Sequence, residues 1–137
     1  MAKLLQLSAA QILRFAWKGD VIRSRRVRLE NVFIESTNRY KFEMVTKEED
    51  GTYSVHNCWV YSVDPTYSGK LFNCKAIKTS CDCERYKFTF EASQSLRNAS
   101  DIIYSDGELP YVRNPKMKIS VCKHLIVALK YIIVKQL

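Results

Sequence analysis

Two short segments carry most of the chemistry in this chain: Cys81-Asp82-Cys83 and Cys122-Lys123-His124. Together they supply three thiols and an imidazole, the donor set of a tetrahedral zinc site. Thiolate and imidazole favour zinc over magnesium or calcium, which prefer oxygen ligands. In a regular strand, residues two apart point to the same side, so both sulfurs of Cys-x-Cys can meet one ion. In Cys-x-His at the mouth of a helix, the ligands lie just before or within the first turn. The thirty-eight residues between the two pairs suffice for a strand, a loop and a returning strand. Four protein ligands fill the coordination sphere and leave no position for water, so the expected ion is single and structural. Structural zinc contributes on the order of 10 kcal/mol of folding free energy in small domains.

Other residues compete for these roles. His56-Asn57-Cys58 is a His-x-Cys pair, and Cys74 sits seven residues before Cys81; either can replace a ligand, although strand cysteines are commonly core residues. Cys122 with His124 is the nucleophile pair of an enzymatic alternative, yet residues two apart at a helix start diverge and no third group orients them. Asp101, Asp106 and Glu108 fall in a stretch rich in turn residues, where solvated charge is the ordinary explanation. The expectation is a protein without a catalytic site.

Cys-x-Cys, a variable spacer, then Cys-x-His opening a hydrophobic helix (Leu125-Ile-Val-Ala-Leu129) resembles the SWIM-type zinc finger, over roughly residues 73–137. The wording Asn114-Pro115 … Cys122-Lys123-His124-Leu125 is also similar to small SWIM-like proteins of tailed phages. The resemblance implies one zinc held by Cys81, Cys83, Cys122 and His124 on a ββα-like fold. It further implies a module that binds DNA or proteins, with a virion as one setting.

The elements that must position these residues follow from periodicity. Ser8 and Gln11 form a capping box before a short helix with Ala9, Ile12, Leu13 and Ala16 on one face and Gly19 as its stop. Strands are expected where Val27, Leu29 and Phe33 alternate with polar residues, and again at Tyr40, Phe42 and Met44. Glu48-Glu49-Asp50-Gly51 reads as a hairpin turn. A strand over 53–63 is expected to place Tyr53, Val55, Trp59, Tyr61 and Val63 on one side. Further strands are read at 71–77, through Tyr86, Phe88 and Phe90, and through Met117, Ile119 and Val121, leading into a C-terminal helix. This is an α+β fold, an antiparallel sheet flanked by an N-terminal and a C-terminal helix, in a single domain of 1–137.

The 137 residues suit one core, and the 47% apolar and 12% aromatic fractions exclude a disordered chain. Gly19, Gly51, Gly69 and Gly107 are too far apart for a dinucleotide or phosphate loop, and two histidines 68 positions apart exclude HExxH. Five cysteines without a secretory pattern point to a reducing, intracellular setting. No apolar run approaches a membrane span, and no small-molecule substrate is expected.

The net charge of +8 attracts anions. Arg23, Arg25, Arg26 and Arg28 cluster, and Lys116, Lys118, Lys123 and Lys130 fall after the last acid, Glu108. These are the candidate nucleic-acid contacts, with Trp17 or Tyr40 available to stack on bases. Against that, the terminal helix is apolar nearly all round, and Ile126, Ile133 and Val134 are candidates for a protein interface. A zinc-stapled adaptor in a larger assembly is thus the first expectation, and sequence-tolerant nucleic-acid binding the second.

Overall fold

A computed structural model describes residues 6–95, 97, 99–101, 113–114, 116, 118 and 120–137. Two short helices open it, α1 (Ala9–Arg14) and α2 (Lys18–Arg23). Four strands follow: β1 (Val27–Ser36), β2 (Arg39–Lys47), β3 (Tyr53–Ser62) and β4 (Ile77–Cys81). Then come α3 (Glu84–Thr89), α4 (Glu91–Ser95) and the longest helix, α5 (Lys123–Lys135). The strands form one antiparallel meander in the order β1-β2-β3-β4. The architecture is α+β, as the periodicity implies.

Local chemistry accounts for the well-placed elements. The Gln11 amide donates to Ser8 Oγ and the Ser8 amide to Gln11 Oε1, closing the capping box at α1, an arrangement worth about 1 kcal/mol. In the β2–β3 hairpin the Gly51 amide donates to Glu48 O, and Gly51 takes φ +85°, where a side chain would be strained. Phe42, Met44 and Thr46 alternate inward on β2. On them, and on Cys58 and Val60 of β3, lies the apolar side of α5, with Leu125, Ile126, Ala128, Leu129 and Ile132 all fully buried. Each large aliphatic side chain so buried stabilises the fold by about 1.5–3 kcal/mol. The chain end is tied down as well, because the Phe72 amide donates to Leu137 O.

Four local expectations change. Gly19 does not stop α1, which ends at Phe15; it lies inside α2, a helix anchored by the buried Asp20. The register of β1 shifts between Leu29 and Asn31, so Val32 packs against the core while Phe33 is exposed. On β3 the residues expected to share a side do so; the core lies on the other, with Cys58 and Val60, and Tyr53 and Val55 are exposed. Both sides of β3 are apolar enough to be inner, and α5 decides between them. Residues 71–73 form a 3-10 turn, and the strand starts only at Ile77. The aromatic run of 86–90 is helical: Cys83 caps α3 by accepting from the Tyr86 amide, and Tyr86 and Phe90, four apart, share a buried face while Phe88 turns outward. The strand expected through Met117 and Ile119 lies outside the described residues, as do Asp106 and Glu108.

Candidate metal centre

The ends of three elements converge beneath the sheet. Cys81 is the last residue of β4, Cys83 the cap of α3, Cys122 the cap of α5, and His124 sits in the first turn of α5. All four side chains are buried, and their ligand atoms lie within 4.8 Å of one another. His124 Nδ1 is 3.7 Å from Cys81 Sγ and 3.9 Å from Cys122 Sγ. A tetrahedral zinc with ordinary bond lengths needs sulfur–nitrogen edges of about 3.6 Å, so these separations fit within a few tenths of an ångström. The set can bind a metal ion.

Neighbours hold the ligands in place. Nε2 of His124 lies 3.1 Å from Oγ1 of the buried Thr46. With Nδ1 turned to the thiols, the ring proton belongs on Nε2, which donates to that hydroxyl. Asp82, the middle residue of Cys-x-Cys, pins the turn to β3: its amide donates to Asn57 O, and its Oδ1 accepts from the Asn57 amide. The same Oδ1 is 3.0 Å from Nδ1 of His56, a bond that raises the pKa of that imidazole above its ordinary value. The His56 ring packs on the His124 ring, 4.8 Å between centroids. Thr46 and Asp82 were not singled out as site residues by sequence, although Asp82 had a signal in its place between two ligands; His56, read there as a replacement ligand, instead stands beside the cluster.

The electrostatics of the thiols suit a cation. Burial pushes Cys81 and Cys122 well above the usual thiol range, whereas hydrogen bonds from Cys122 and Cys81 pull Cys83 down. A cation bound among the sulfurs would favour their thiolate forms. Cys58 and Cys74 stand outside the cluster as core residues: Cys58 faces Cys81 across β3 and β4, and Cys74 Sγ donates to Ala76 O. All five cysteines are free thiols.

The candidate surface residues scatter. Arg23 and Lys123 line one cleft of about 430 Å³ beside Cys83 and His124, but Asp20 and Glu84 line it too. Arg23 and Arg85 both pair with Asp20, at 3.1 and 3.0 Å. Arg25 and Arg26 border a second cleft with Lys47, Glu48 and Glu49, so acids lie in the same cleft as this part of the arginine cluster. Arg28 pairs with Glu30. Lys116, Lys118 and Lys130 are exposed. Trp17 packs edge-on against Phe90, and Tyr40 lies tilted beside Phe42. Of the candidate interface residues, Ile126 is buried in this chain's own core, Ile133 is half-buried against it, and Val134 is 75% exposed. Ile126 is therefore not available to a partner.

The molecule is thus an α+β protein with a buried cluster of three cysteines and one histidine fit for a metal ion. Set against protein-family models, curated proteins and solved structures, the chain matches none of them. Among the described residues, no helix is long and apolar enough to cross a membrane.

Proposed function

We propose that the cluster holds one zinc ion and that the chain is a non-enzymatic interaction module built around it, in the manner the SWIM-like spacing implies. One observation carries this reading: the donor atoms of Cys81, Cys83, Cys122 and His124 already converge to within 4.8 Å, with Nδ1 of His124 turned to the sulfurs. Zinc is the ion this donor set favours, and four protein ligands give it a structural role. Metal analysis of the purified chain should return one zinc per molecule, and a chelator should lower its melting temperature. A metal-free chain of unchanged stability would end the reading.

Nucleic acid is the partner best supported. The chain carries a net +8, and the apolar side of α5 that argued for a protein partner is spent largely on this chain's own core. The adaptor reading, with a virion as one setting, keeps one observation of its own: Phe33, Ile34, Tyr53 and Val55 are exposed on β1 and β3. Binding to oligonucleotides that weakens steeply with salt supports the first reading; salt-insensitive co-assembly with a protein supports the second.

A further inference from the structure

Phe88 is unusual among the aromatic residues of α3. Tyr86 and Phe90 are fully buried, yet Phe88 is 46% exposed. Two cations flank it: Lys87 Nζ lies 4.9 Å and the Arg113 guanidinium 5.5 Å from its ring centroid. Arg113 comes from a segment remote in sequence, held against α3 and α4 by Asn114. The Asn114 side chain donates to Thr89 O and to Lys118 O and accepts from the Lys118 amide, while Ser93 Oγ donates to Lys118 O. This clamp fixes the Lys118 backbone beside α3 and α4, and Lys116 and Lys118 are both exposed. Among the described residues, no ion pair neutralises Lys87, Arg113, Lys116 or Lys118.

We propose that Phe88, with Lys87, Arg113, Lys116 and Lys118, forms a stacking site for single-stranded nucleic acid. The proposal rests on the reading of the chain as an interaction module and names its surface and its ligand. An exposed aromatic ring offers a π-face to any base, and cations around it meet the phosphates on either side. A duplex keeps its bases stacked inside and cannot use the ring. A protein partner would need apolar area beyond a single phenylalanine, whereas four cations ask for a polyanion. The clusters near Arg23 and Arg26 lack this character, because acids line the same clefts.

The test uses the full chain, with its metal content measured, and fluorescent dT and rU oligonucleotides of about a dozen nucleotides beside a duplex of equal length. Both single strands should bind more tightly than the duplex. Phe88→Ala should weaken binding about ten-fold or more and leave the salt dependence unchanged. Arg113→Ser with Lys116→Ser should flatten the log–log salt slope by about 1.4, the single-strand value for two phosphate contacts. Phe88→Trp should retain binding. Since these side chains are exposed, every variant should keep the parent melting temperature and metal content. Equal affinity for duplex, or Phe88→Ala binding like the parent, overturns the proposal. A chain that binds duplex as tightly as single strands defeats the stacking site alone, one that binds no oligonucleotide defeats the nucleic-acid reading with it, and a chain without zinc defeats the metal reading alone.

Discussion

Thr46, on the second strand, and His124, in the first turn of the last helix, are joined by a hydrogen bond of 3.1 Å although 78 positions separate them. That bond settles which ring nitrogen of His124 faces the thiols. Outer partners of this kind typically change metal affinity 10–100-fold when removed. Thr46→Val should therefore weaken zinc binding about ten-fold or more, measured by competition with a chromogenic chelator. An unchanged affinity would mean that packing alone orients the imidazole.

Ligand and non-ligand cysteines should separate cleanly. Cys122→Ser removes a ligand and should cost several kcal/mol of stability together with the bound metal. Cys58→Ala, in the same core and opposite Cys81, should cost about 1 kcal/mol and keep the metal. Thermal melts paired with metal analysis distinguish the two, and loss of metal from Cys58→Ala would redraw the ligand set.

Gln94 ties the two halves of the cluster's support together. Its Nε2 donates to Thr79 Oγ1 and Tyr86 Oη, and its Oε1 accepts from the Ser120 amide, two residues before Cys122. All of these groups are buried. Gln94→Ala leaves the Ser120 amide without its acceptor, while Thr79 Oγ1 and Tyr86 Oη keep their bond to each other, and should destabilise the fold by about 1–3 kcal/mol. Denaturant unfolding gives the figure directly; a loss below 0.5 kcal/mol would mean that water replaces the amide.

At the far edge of the sheet, Asp101 accepts from Lys78 Nζ at 2.9 Å and from Tyr61 Oη, with Arg39 stacked over the Tyr61 ring. Burial alone would raise the Asp101 pKa, but the bonds from Lys78 and Tyr61 outweigh it and the net shift is downward. A lowered carboxyl stabilises the fold above its unfolded value of 3.8 and loses that contribution as pH falls further. Burial, with the bond to Asp101, raises the Tyr61 phenol, so its contribution is complete below pH 10.0, the unfolded value, and fades as pH climbs beyond it. Tyr61→Phe should flatten the alkaline limb of a stability–pH curve, and Asp101→Asn the acid limb. Parallel curves for variant and parent would remove this account.

Capping and turn chemistry is local, so the helix start at Ser8 and the turn at Gly51 were legible residue by residue. Alternation on β2 was legible as well, because only one of its sides is apolar. It misled at 86–90, where aromatic residues at every second position match a strand and also place Tyr86 and Phe90 on one helical face. Only the Cys83 cap, whose sulfur accepts from the Tyr86 amide, resolves that ambiguity. The side of β3 that turns inward was equally open, because both carry apolar residues and the choice belongs to α5.

The four ligand types and their pairing by twos are properties of the amino-acid string, since donor chemistry depends on residue type and short spacing constrains direction. Which nitrogen His124 presents and whether Arg85 meets Asp20 depend on residues tens of positions away. Those relationships exist only once the chain has closed on itself, because hydrogen bonds and charge pairing act over a few ångströms of space, whatever the distance along the backbone.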